Sequence, residues 1–211
     1  MNSATRNMTA HAWRNAGKPA GLFRRMKDTR RKVRYCALSL LLCALTAACA
    51  DDVESLYANI RAFFRFSPVT QVPGLRAALN SPGMFCTISF SNGKYIFDTG
   101  DGNPFVYTPT AIDQYGTPEC VSGFIVGMPN IPDLNGNFYN IAFDLVCPNC
   151  YSTDAVQRSL TLQSTGAVCG RCKRHYGLNN GGIVTAGEGG RGLYRYPVTY
   201  NSGTDLLLIR N

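Results

Sequence analysis

The sequence predicts an all-β protein, a small sandwich or barrel carrying a two-knuckle metal-binding subdomain, and three observations carry that expectation. Turn residues recur along the chain, with 21 Gly and 11 Pro. Short apolar runs lie between them, and no long amphipathic helix interrupts the pattern. Two cysteine knuckles, Cys147-Pro148-Asn149-Cys150 and Cys169-Gly170-Arg171-Cys172, stand 18 residues apart. Four thiols in two CxxC turns at that distance suit one tetrahedral metal site, because each turn offers two sulfurs and a hairpin between them brings the turns face to face.

The elements follow in order. Residues 53–66 place Leu56, Ile60, Phe63 and Phe64 at helical spacing, which predicts a short amphipathic helix within a tether over 49–72. Pro68 and Pro73 then break the chain. Residues 84–90 and 94–98 flank Asn92-Gly93, the pair that best tolerates the positive φ angles of a two-residue hairpin. A strand is predicted over 138–146, with Tyr139, Ile141, Phe143 and Leu145 as its core-facing set and Phe138, Asn140, Ala142 and Asp144 opposite. Residues 193–200 and 205–210 close around Asn201-Ser202-Gly203-Thr204 as a last pair, and Tyr194, Tyr196 and Tyr200 alternate there as packing residues.

Charge divides the chain. The formal net charge is +8, but residues 1–48 hold ten Lys/Arg against one acid, and residues 49–211 hold eleven against twelve. The basic character therefore belongs to the leader, and no nucleic-acid partner is expected. Within that leader Lys27, Arg30, Arg31, Lys32 and Arg34 precede an apolar run of thirteen residues from Cys36 to Ala48, too short to span a bilayer. This is the pattern of an export signal, with Met26 the expected start.

Thr46-Ala47-Ala48-Cys49 resembles the lipobox of bacterial lipoproteins, with Thr46 in place of the usual leucine. The resemblance implies lipidation at Cys49 and a membrane anchor in the bilayer of the bacterial cell envelope. Cleavage after Ala50 is the competing reading and leaves no anchor. Asp51-Asp52 resembles the surface-export signals of lipoproteins in the Bacteroidetes group, so an outer-membrane lipoprotein facing periplasm or cell surface is expected.

Around the second knuckle, the run from Cys169 through His175, Tyr176, Leu178 and Gly181 to Leu193, Tyr196 and Val198 resembles the second cluster loop of Rieske iron-sulfur proteins. The strand leading into Cys147 resembles the one that delivers their first loop, and the likeness extends over residues 73–211. It implies a Rieske-like domain over that range, with the metal-binding subdomain at about 145–192. The chain departs from the family where its chemistry resides: Cys172 stands at one histidine position and Asn149 or Cys150 at the other. His175 is the one histidine after Cys49, so a two-histidine center cannot be built.

Cys147, Cys150, Cys169 and Cys172 thus admit three readings: a structural zinc, a two-iron two-sulfur cluster serving an unidentified redox partner, or disulfides. Zinc is favored by the spacing, by closure of the site, and by Arg171, Lys173 and Arg174, which offset the charge of a tetrathiolate. His175, Lys173 and Arg174 are candidate neighbors of the site. Neither CxxC is predicted to open a helix after a strand, which argues against a thioredoxin-like enzyme. Cys86 and Cys120 are a candidate disulfide, with two buried thiols as the alternative. No Gly-x-Ser-x-Gly elbow, phosphate-binding loop or His-Glu-x-x-His pair occurs, so a noncatalytic role in binding an unidentified envelope protein is expected.

Overall fold

The computed structural model describes residues 56–111, 113, 118–164 and 166–211. The fold is all-β. Among these residues, thirteen strands form three antiparallel sheets, accompanied by two short helices.

The largest sheet has six strands in the order β11-β6-β5-β2-β3-β4. These are β2 (Phe85–Ser91), β3 (Lys94–Asp98), β4 (Phe105–Tyr107), β5 (Phe124–Gly127), β6 (Ile141–Asp144) and β11 (Arg195–Tyr196). Asn92 at φ 52° and Gly93 at φ 72° make the tight turn between β2 and β3. All four residues of β5 and of β6 are buried, so this sheet is covered on both faces. Ile88, Phe124, Val126 and Ala142 face one core, whereas Ile125, Ile141 and Phe143 face a second.

That double burial corrects the expectation for 138–146. The strand is only four residues long, both of its faces are apolar environments, and Asp144 lies fully inside. Phe138 and Tyr139 stay on the surface.

The first core is closed by a three-stranded sheet, β1-β13-β12, made of β1 (Phe63–Phe66), β12 (Val198–Asn201) and β13 (Leu206–Arg210). Here the expected helix over 53–66 gives way to a strand within its described part. Phe64 and Phe66 point inward while Arg65 is exposed, a period of two, and they pair with Ile209 and Leu207 of β13. An unpaired strand edge at the C-terminal end supplied hydrogen-bond partners that a helix would have left unused. Phe64, Phe66, Phe90, Tyr95, Phe97 and Phe124 join in one aromatic cluster, with Phe66 and Phe97 centroids 5.1 Å apart. The chain is therefore part of the fold well before residue 73, and Val69 and Val72 are completely buried.

Helix α1 (Pro73–Asn80), which the turn-rich reading overlooked, covers the same core with Leu75, Ala78 and Leu79. Pro73 opens it at a position where a missing N–H costs nothing. Proline also divides the strand expected over 193–200. Tyr196 pairs with Ala142 of β6, then the chain passes Pro197 and Val198 pairs with Ile209 of β13.

The second core is closed by a four-stranded sheet, β10-β9-β8-β7. It comprises β7 (Thr161–Gln163), β8 (Gly166–Val168), β9 (His175–Gly177) and β10 (Ile183–Ala186). Helix α2 (Pro148–Asp154) lies between β6 and this sheet in sequence.

Candidate metal centre

Asp144, at the end of β6, fixes the approach to the first knuckle. Its buried carboxylate accepts four hydrogen bonds, from the N–H groups of Val121 (3.0 Å), Ser122 (3.2 Å) and Val146 (2.8 Å) and from the Tyr196 hydroxyl (3.0 Å). Burial raises this carboxyl above its ordinary value against the opposing pull of those donors. Cys147 then donates its N–H to Arg158 O (2.8 Å) and caps α2, with Pro148 in the first turn and Tyr151 N–H bonded to Cys147 O. The first CxxC thus does open a helix directly after a strand, contrary to the sequence expectation. Pro148 was the signal for it.

The second knuckle is a hairpin turn between β8 and β9. Cys169 N–H reaches Arg174 O and Lys173 N–H reaches Cys169 O, both at 3.0 Å. Lys173 takes a left-handed conformation, φ 58°, to close the turn.

The two knuckles bring four sulfurs together, all within 4.8 Å of one another. Cys147 Sγ is 3.6 Å from Cys172 Sγ, and Cys150 Sγ is 3.7 Å from Cys169 Sγ. Each close pair takes one cysteine from each knuckle and the two pairs share no residue, as opposite edges of a tetrahedron do. A tetrathiolate with metal–sulfur bonds of about 2.3 Å has edges of about 3.8 Å. The donor set therefore fits a single metal ion. Cys147, Cys150 and Cys169 are buried in the second core, and Cys172 is half-buried.

Electrostatics differ sharply among the four. Burial, followed by the crowding of Cys147, Cys169 and Cys172, pushes Cys150 up to about 12. Burial also raises Cys147, against a hydrogen bond from Tyr176. Cys172 is resisted by burial, yet the Arg174 backbone N–H, its guanidinium and the neighboring thiols bring it down to about 6. Four thiols so close cannot all ionize without a cation among them.

Two further side chains, whose contacts the sequence does not foretell, complete the site. Asn149 Nδ2 donates to the Tyr176 hydroxyl (3.0 Å), which leaves the Tyr176 O–H to donate to Cys147 Sγ (3.2 Å). Asn149 also brackets the backbone of Arg191, donating to its O (2.9 Å) and accepting from its N–H (3.0 Å). Arg174 holds the same strap further back, through Glu188 O (2.8 Å), the Glu188 carboxylate (3.1 Å) and Gly189 O (3.2 Å). Residues 187–193 are thereby tied to one residue inside the first knuckle and one just after the second. Tyr176 belongs to the run that carries the family resemblance, but nothing in the spacing shows that its hydroxyl meets a cysteine.

Of the candidate neighbors, Arg174 lies at the site. His175 and Lys173 are exposed instead, His175 because β9 alternates and its inward position is Tyr176, Lys173 because it closes the turn before that strand. Arg171 pairs with Asp154 on α2 at 2.7 Å. Cys86 and Cys120 are unbonded thiols. Cys86 lies in β2 beside Val126, and burial pushes it up to about 12. Cys120 lies outside the sheet near Asp144, whose row on β5 is that of Phe124, and burial raises it to about 11. Cys49 and the leader lie outside the described residues. Among the described residues, no helix is long and apolar enough to cross a membrane.

The chain matches no protein-family model, no curated protein and no solved structure.

Proposed function

We propose that Cys147, Cys150, Cys169 and Cys172 hold one zinc ion, and that the ion is structural, serving a noncatalytic binding or assembly module of the bacterial cell envelope. The observation that carries this reading is the pair of opposite 3.6 and 3.7 Å edges, close to those of a tetrathiolate around one ion. A two-iron cluster needs its two thiolate pairs to straddle two metals and two sulfides, and four sulfurs within 4.8 Å favor the smaller occupant. Zinc so held supplies no activated water, because every ligand position belongs to the protein. The chain's own residues do the rest: Tyr176 orients Cys147, Arg174 offsets charge at Cys172, and Asn149 holds the 187–193 strap against the first knuckle. Lipidation at Cys49, which the lipobox likeness implies, anchors the domain in the envelope, and the Rieske likeness implies a redox domain converted to a structural one.

Metal analysis of protein purified without oxygen or affinity metal tests the reading. One zinc per chain, no visible absorption, and loss of the ion in Cys169→Ser are expected. Two irons per chain with a red-brown color that bleaches on reduction would replace it with the electron-transfer reading.

A further inference from the structure

Away from the metal site, Arg195 on β11 lies between two tyrosine rings. Its guanidinium carbon is 5.8 Å from the Tyr57 centroid and 5.8 Å from the Tyr139 centroid. The rings hold it by cation–π attraction. Arg195 Nε is buried with no hydrogen-bond partner, and so is Asn140 Oδ1 on the segment beside it, among the described residues. No acid pairs with Arg195 among the ion pairs of the described residues, and the segments 56–60, 137–143 and 193–199 contain none.

The surroundings of the guanidinium are apolar and exposed. Leu56 (64%) and Tyr57 (39%) flank it on one side, and Phe138 (48%) and Tyr139 (39%) on the other. The Ala58 N–H binds Arg195 O at 2.9 Å, so the two sides belong to one surface. Leu56 also follows the end of the apolar run, Ala48, by only eight residues. Fully extended, the stretch from Cys49 to Leu56 reaches about 25 Å.

We propose that Leu56, Tyr57, Phe138, Tyr139 and Arg195 form a surface that rests on the phospholipid headgroup layer. Tyrosine rings partition to that depth, leucine and phenylalanine reach the first acyl carbons, and the terminal N–H groups of a guanidinium fork onto a phosphate. The seat orients the domain against the membrane. It goes beyond the anchor at Cys49, which tethers the chain without choosing which face meets lipid, and it does not depend on the metal.

Position-specific quenching tests this in the full chain. In a Trp13→Phe background, Phe138→Trp is compared with Ile183→Trp, an equally exposed position on β10, on vesicles of equimolar phosphatidylcholine and phosphatidylglycerol with brominated acyl chains. The Phe138→Trp probe should shift to the blue and lose roughly half its emission or more, Ile183→Trp should change little, and adding Arg195→Gln should weaken the quenching at 138. Equal quenching at both positions, or none at 138, would overturn the proposal. Should a probe variant fail to fold, amide exchange of the unaltered chain decides: slowing of 56–60 and 137–141 on vesicle addition supports the seat, and unchanged exchange there refutes it. Acyl incorporation at Cys49 tests the anchor separately, and its absence leaves the comparison between positions intact.

Discussion

Asp144 shows how much one buried side chain can decide. Four donors converge on its two oxygens, and together they set the turn that carries the chain from β6 into Cys147. Asn at this position offers one acceptor oxygen and turns an amide N–H₂ against backbone N–H groups. Asp144→Asn should cost about 2–4 kcal/mol in urea unfolding. Tyr176 acts on the metal site more directly. Tyr176→Phe keeps the ring in the core but removes the O–H···S bond to Cys147 and leaves Asn149 Nδ2 short of an acceptor. Affinity for the metal, zinc in the proposed reading, should fall about 10- to 100-fold in chelator competition. The unbonded thiols give a pH signature. Cys86 and Cys120 have folded values of about 12 and about 11, both above the ordinary 9.0, so between pH 9 and 11 the unfolded chain releases protons that the folded chain retains. Stability of the reduced protein should therefore decline as pH rises through this window, and Cys86→Ala should lessen the decline in paired urea titrations.

At the scale of elements, β1 and the strap make the sharpest claims. Phe64 and Phe66 sit at the center of the aromatic cluster and pair with the last strand. A chain begun at residue 73 should fail to fold, whereas one begun at residue 56 should give a cooperative transition. Phe66→Ala alone should cost about 3–5 kcal/mol. The strap is tight against the first knuckle at Gly190, where an added Cβ would lie 2.3 Å from Asn149 Oδ1. Gly190→Ala should break the Asn149–Arg191 bracket and speed transfer of the proposed metal ion to a chelator, read in a stopped-flow colorimetric assay, while Gly170→Ala, which meets open space, should leave the rate unchanged.

For the whole of residues 56–211, the central sheet is a wall shared by two cores, and the cysteine site belongs to the second. Stability need not be uniform across such a wall. Removing the metal should raise amide exchange in β7–β10 and α2 while β1, β12 and β13 stay protected. Uniform loss of protection would mean that one cooperative unit spans both faces. The sequence by itself determined that the protein is all-β, that Asn92-Gly93 turns a hairpin, and that four cysteines in two knuckles form a set, because turn chemistry and ligand spacing act over a few residues. Only the tertiary structure decided that 63–66 is a strand, since its partner is the C-terminal end of the chain, far away in sequence. The same holds for the close contacts across the knuckles, the Asn149–Tyr176–Cys147 relay, and the placement of Arg195 between Tyr57 and Tyr139. Local rules fix which backbone angles a segment prefers, but partners distant along the chain decide which surface it finally covers.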